Sequence, residues 1–274
     1  MNRRDFLSNT SLAIAGFTGS MLLPNLSEAS LSNSAYMLKM RNFNKHHKDD
    51  IFLAKSKLPL LNTSLKKMYR IQRIVGHSNF YLLNFDEAIA ISKNYSKVGT
   101  FTKDELDFLA ELFYADCSVY GFKGDKPMKS LTTKVHKRSV VKVRGTGNYL
   151  YKGMPEKLYK KIKKDIGEEM YLTSGVRSVM KQFLLFLNKV YKSEGNLSLA
   201  SRSLAPPGYS YHGISDFDVG KVGLGSANFT DKFAQTDLFK KLLELDYVSL
   251  RYPKGNNLGV RYEPWHITVK ESYL

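Results

Sequence analysis

Cysteine is almost absent: Cys117 is the only one in 274 residues. A disulfide framework within the chain is therefore excluded, and so is a metal site built from several cysteines. A lone cysteine of this kind reads as a small buried hydrophobe. Acidic residues are also scarce, with 25 Asp and Glu against 42 Lys and Arg, a net charge of +17. That imbalance points to anionic surroundings: nucleic acid, an anionic membrane surface or an anionic wall polymer. No internal repeat is present. Beyond the first thirty residues no apolar run approaches the ~20 residues that span a bilayer. Histidine is rare too, with six in the chain, so where each one falls carries information. The remaining balance, 43% hydrophobic and 24% charged, is that of a soluble globular protein with one large or two small domains.

Asn2-Arg3-Arg4-Asp5-Phe6-Leu7 resembles the twin-arginine export signal. An apolar run from Leu12 to Leu23 follows, and Ser27-Glu28-Ala29 puts small residues where a signal peptidase needs them. The expectation is cleavage after Ala29 and export of folded protein by the twin-arginine machinery. The mature chain would then reside in the periplasm or elsewhere outside the cytoplasm, with no stable membrane span. An exported protein rarely meets nucleic acid, which removes that partner from the three anionic candidates.

Residues 30–57 are polar and mixed in charge, and read as a linker or loosely packed arm. His46-His47-Lys48-Asp49-Asp50 reads as a solvated charged face, since adjacent side chains do not converge on one point. Residues 82–92 have the spacing of a short amphipathic helix. A stronger helix opens at Thr102, with Glu105 completing a capping box and Leu106, Leu109, Ala110, Phe113 and Tyr114 on one face. Residues 140–143 read as a strand and Gly145 to Gly147 as a loop. Residues 156–166 form a basic amphipathic helix with Leu158, Tyr159, Ile162 and Ile166 inward and its lysines solvated. A strand at residues 171–174 leads into a helix over residues 179–192 that buries Phe183, Leu184, Leu187, Val190 and Tyr191. Arg177 falls at the turn between them, where a guanidinium can reach a cleft and grip a carboxylate.

Two stretches carry the chemistry. The first runs from Pro207 to Asp218 and holds His212, Asp216 and Asp218; the second is Glu263-Pro264-Trp265-His266. Two His and one Asp, with a Glu that does not touch the metal, are the parts of a catalytic zinc site: three protein ligands, a fourth position for water, and a base. His212 and Asp218 are six residues apart, about 20 Å in an extended strand. To share a metal the chain between them must fold back, and Gly213 and Ser215 permit it. Asp216 is the rival carboxylate.

These residues resemble the LAS-type zinc peptidases, the VanY-like D-alanyl-D-alanine carboxypeptidases and their hedgehog-domain relatives. Three blocks occur in family order: Ser174-Gly175-Val176-Arg177-Ser178 with Gln182, Pro207-Gly208-Tyr209-Ser210-Tyr211-His212 with Asp218-Val219-Gly220, and Glu263-Pro264-Trp265-His266. Val176 replaces a usual Tyr, Ser215 a usual Gly, and the His-to-Asp segment is one residue short. Asp-Val-Gly follows the ligand in many relatives, which favours Asp218 over Asp216. The resemblance implies an α+β fold, a small antiparallel sheet with packed helices, preceded by a mostly helical N-terminal extension. The divisions would be a signal peptide over 1–29, the extension over 30–148 and a peptidase domain over 149–274. It implies Zn²⁺ on His212, Asp218 and His266, with Glu263 as base and Arg177 as a catalytic and substrate-gripping group. Ser210, Gln182 and Trp265 would contact substrate, a peptidoglycan stem peptide losing its C-terminal D-alanine. An endopeptidase, or a zinc-containing binding protein without catalysis, is the alternative.

Overall fold

The structure is a computed structural model that describes residues 26–270. Arg3, Arg4 and the apolar run after them lie outside the described residues. The chain divides between Tyr36 and Met37. Helix α1 (Leu26–Arg41) crosses that division and includes Ala29, the expected cleavage point. No helix among the described residues is long and apolar enough to cross a membrane.

The second unit begins with a segment that the sequence suggested would be loose. It is anchored instead. Leu53 N–H donates to the Gly195 carbonyl and Leu197 N–H to that of Ile51. Asp50 is buried, not solvated: its carboxylate takes both Arg202 Nη1 (2.6 Å) and Nη2 (3.1 Å), and Asn196 Nδ2 at 2.8 Å. Arg202 also donates to the carbonyls of Phe43 and Lys45. Burial opposes the charge on Asp50, but Arg202 and Asn196 outweigh it and hold its pKa well below the usual carboxylate range. Because both partners are buried, removing either would strand a charge, at a cost of about 3–5 kcal/mol.

Helices α2 (Leu58–Val75), α3 (His77–Phe80), α4 (Phe85–Asn94) and α5 (Lys103–Tyr114) follow. Helix α4 starts three residues later than the spacing suggested. Asn84 caps it, and Glu87 reaches back to the Asn84 N–H in a capping box. Thr102 and Glu105 cap α5 in the same way, but its inward face is rotated to Phe108, Leu109, Leu112 and Phe113, and Tyr114 is exposed. A short antiparallel hairpin, β1 (Val140–Lys142) and β2 (Tyr149–Tyr151), leads to α6 (Met154–Ile166). Its predicted inward residues are buried and Lys157, Lys160, Lys161 and Lys164 are exposed. Then come β3 (Met170–Ser174), α7 (Val179–Lys192) and α8 (Leu197–Ser201). Helix α7 buries the expected residues except Tyr191, which is exposed. The chain ends with β4 (Phe217–Lys221), α9 (Asp237–Glu244), β5 (Leu250–Tyr252) and β6 (Glu263–Ile267).

The expected α+β class is the one observed. Strands β3, β4, β6 and β5 lie in that order in one antiparallel sheet. Helices α6 and α9 cover it through Leu158, Ile162, Leu238 and Leu242, packed with Leu172, Phe217, Val219 and Ile267. A second core packs α2, α4 and α5 against α7 and α8, and also takes in Tyr252 and Val260. Residues on both sides of position 149 thus share one core. Cys117 is buried within it, with Tyr120 Oη donating to its sulfur at 2.7 Å.

Candidate active site

Sheet register does most of the assembly. Asp218 on β4 pairs directly with His266 on β6 and with Ser174 on β3, so the three side chains meet across neighbouring strands. Two irregularities tune them. A register shift between Leu172 and Ser174 brings Ser174 opposite Asp218. A second, where Leu250 faces Ile267 but Tyr252 faces Glu263, puts two extra residues on β6. In a regular strand Glu263 and His266, three apart, would face opposite ways. Beside this irregularity Glu263 Oε2 nonetheless comes within 3.3 Å of His266 Nδ1; bulges are common next to active sites.

His212 arrives from a loop. After the Pro207-Gly208 turn, a 3₁₀ turn spans Tyr211–Gly213, and the N–H groups of both Ser215 and Asp216 return to the Tyr211 carbonyl. This is the fold-back that a shared metal requires. Gly213 is packed against Met128, where a Cβ would stand 2.2 Å from the sulfur. Gly175 is equally constrained: a Cβ there would lie 1.9 Å from the Tyr149 carbonyl oxygen. Its own carbonyl meets His212 Nδ1 at 2.9 Å.

His212, Asp218 and His266 are all buried, and one ligand atom from each lies within 4.8 Å of the others. His212 Nε2 is 3.2 Å from Asp218 Oδ1, and His266 Nδ1 is 3.5 Å from that same oxygen. Two donors held about 2.1 Å from a tetrahedral metal stand roughly 3.4 Å apart, so the spacing fits zinc. Among the described residues His212 Nε2 and Asp218 Oδ1 are buried without a hydrogen-bond partner. An orphaned pair of this kind is costly unless something else satisfies it.

The outer contacts orient those atoms. His212 Nδ1 faces the Gly175 carbonyl, and His266 Nε2 lies 3.2 Å from Asp216 Oδ2. Each ring thus has its far nitrogen engaged and its near nitrogen turned to Asp218, as in metal sites with an ordered outer layer. Asp216 is held by Arg251 through Nε at 2.7 Å and Nη2 at 3.1 Å, and accepts the Val269 N–H. That distinguishes the two carboxylates: Asp218 belongs to the three-residue cluster, while Asp216 supports His266 from behind. Burial lowers the His212 pKa, with help from Arg177. Burial works the same way on His266, but Asp216 and Glu263 outweigh it and raise its pKa.

These residues open on a cleft of about 420 Å³ lined by Arg177, Ser210, Glu263, Trp265 and the three cluster residues, among others. Arg177 donates from Nη2 to Asp218 Oδ2 (2.8 Å) and from Nε to Ser174 Oγ (2.9 Å). It therefore occupies the outer oxygen of Asp218 and leaves Oδ1 to the cluster. Trp265 forms a wall, edge-on to Phe229 at 5.8 Å. Gln182 is placed differently from expectation: it is buried, donates to the Ala205 carbonyl and does not line the cleft. Several cleft residues escaped the sequence: Lys181, Lys189, Tyr252 and Arg261. For Lys181 and Lys189 the only signal was a spacing from Arg177 in multiples of four residues.

Residues 152–270 match the family model of VanY, D-alanyl-D-alanine carboxypeptidase. This stretch resembles a VanY-type domain and makes up less than half of the chain. Among solved structures, the LdcB LD-carboxypeptidase, described in terms of peptidoglycan recognition, is 26% identical with a TM-score of 0.37. The match covers 53% of this chain and 65% of the LdcB chain, just under two thirds of its length. The VanY D,D-pentapeptidase of a VanB-type resistance cassette, solved in complex with Zn(II), is 22% identical with a TM-score of 0.41. That match covers 55% of this chain and 88% of the other. VanYB in complex with D-alanine-D-alanine has the same identity and TM-score, over 55% of this chain and 85% of that one. No curated protein matches the sequence. The matched stretch contains all three sequence blocks, with Ser174, His212 and Glu263 inside it.

Proposed function

We propose that the chain is a zinc-dependent peptidase that removes the C-terminal D-alanine from peptidoglycan stem peptides. The observation that carries this is the buried cluster of His212, Asp218 and His266, two of whose facing atoms lack hydrogen-bond partners among the described residues, beside Glu263 in a stretch that resembles a VanY-type domain. Zinc held by those three residues supplies Lewis acidity toward the scissile carbonyl and toward water. Glu263 takes a proton from the attacking water and passes it to the leaving amine. Asp216 holds the His266 ring with Nε2 turned away from the cluster. Arg177 Nη1 makes no hydrogen bond among the described residues and is available to the substrate's terminal carboxylate or to the developing oxyanion. Ser210 and Trp265 line the cleft where the peptide would lie. Gln182 acts one layer back, fixing the Ala205 carbonyl beside the cleft.

The test is mass spectrometry of purified muropeptides incubated with the zinc-loaded protein. Loss of one D-alanine from the stem supports the reading. Cutting within a crosslink would make it an endopeptidase, and no cutting would leave a zinc-containing binding protein. The reading includes export by the twin-arginine route, supported by Arg3-Arg4 and the apolar run after them. Lysine at both Arg3 and Arg4 is expected to leave the precursor in the cytoplasm on fractionation; unchanged export would mean another route.

A further inference from the structure

Arg177, Lys181, Leu185 and Lys189 line the cleft together. They recur at every fourth position, Arg177 in the turn just before α7 and the others on it, so they form one stripe. At 1.5 Å per residue the stripe is about 18 Å long. Its Arg177 end touches Asp218; among the described residues no carboxylate pairs with Lys181 or Lys189. Lys181 is only 8% exposed, sits 4.6 Å from the centre of the Tyr81 ring, and has the neutral Gln72 Oε1 at 3.5 Å. Lys189 makes no ion pair among the described residues. Arg261 is close enough to Lys189 for their charges to repel. Its guanidinium lies over the rings of Phe43 (4.5 Å) and Trp265 (4.7 Å) and donates from Nη2 to the Phe229 carbonyl, while its Nε is buried without a hydrogen-bond partner among the described residues.

Glu263 and Asp231 attract Arg261, but Lys181 and Lys189 feel only neighbouring cations, an unfavourable arrangement for partly buried charges. Burial, with Arg177, pushes the Lys181 pKa down to about 8. A carboxylate arriving with a ligand would satisfy all three groups through charge-assisted hydrogen bonds. A carboxypeptidase has one residue beyond the cut bond, so most of this groove must hold the upstream segment. An extended residue spans at most ~3.6 Å, so a carboxylate three residues upstream lies about 10 Å from the cut. That falls between Lys181, about 6 Å along the helix from Arg177, and Lys189, about 18 Å along it. Resting on the peptidase reading, we propose that Lys181, Lys189 and Arg261 form a carboxylate subsite selecting acidic peptides with a free carboxylate upstream of the cleaved bond.

The test uses two stem pentapeptides ending in D-alanyl-D-alanine. They differ only in whether the α-carboxylate of the γ-linked D-glutamate at the second position is free or amidated. Their binding to zinc-loaded Glu263→Gln protein is measured by calorimetry, and their cleavage by the wild type is followed in parallel. The acid peptide should bind at least about tenfold tighter, the worth of a hydrogen bond to a charged group. Lys181→Met and Lys189→Met should each shrink that ratio, and the double variant should bring it near one. Methionine matches the lysine stem closely enough to keep the packing; circular dichroism checks the fold. Equal binding of the two peptides, with either one cleaved by wild type, overturns the subsite and leaves the peptidase reading intact. A preference that survives the double variant also overturns it. Acid-selective binding with cleavage of neither peptide supports the subsite and sinks the peptidase reading.

Discussion

Glu263→Gln is expected to keep its zinc and to lose turnover by at least about 10²–10⁴-fold, the usual worth of general acid–base catalysis. The substitution preserves size and one acceptor oxygen but removes the charge and the basic oxygen. Glu263 is 8% exposed and its Oε2 lies 3.3 Å from His266 Nδ1, so it stands beside the cluster while the three-residue group is complete without it. D-alanine release and metal content, measured on the same preparation, separate the possibilities. A wild-type rate would mean that Glu263 is not the base. Loss of zinc would mean that it is a ligand.

Replacing His212, His266 or Asp218 by alanine is expected to remove most of the zinc and with it the activity. Each supplies one of three ligand atoms, and two remaining ligands do not make a closed site. Asp216→Ala should behave differently. Asp216 touches the far edge of the His266 ring and is anchored by Arg251, so its loss frees the ring to rotate. Changes in such outer contacts typically cost about 10–100-fold in metal affinity. Zinc titration against a competing chelator reads all four variants. Full retention in both histidine variants would rule out the ligand set. Asp216→Ala losing all zinc while Asp218→Ala keeps it would exchange the two carboxylates.

Local signals were legible where the physics is local. The Thr102–Glu105 capping box, the inward face of α6 and the strand-to-helix passage around Arg177 follow from neighbours a few residues apart. Helical spacing was less reliable at the ends. Tyr114 and Tyr191 lie on apolar faces by periodicity but are exposed. The anchoring of residues 42–57 was invisible, since Asp50 finds Arg202 across 152 positions and composition reports no such pairing.

Residue types and block order by themselves determined the inventory of the site: two histidines, a carboxylate, a nearby glutamate and an arginine. Tertiary structure decided how they are used. Asp216 and Asp218 are chemically identical in a sequence, and only strand register puts Asp218 opposite His266 while Arg251 takes Asp216. Glu263 and His266, three apart on β6, come within 3.3 Å of each other beside an irregularity in the pairing with β5 that the sequence does not announce. Gln182 lies behind the cleft rather than in it because α7 turns a different stripe, Lys181 to Lys189, toward the opening. In each case the deciding interaction is between segments far apart in the chain, where side-chain direction is set by the strand or helix on which a residue rides.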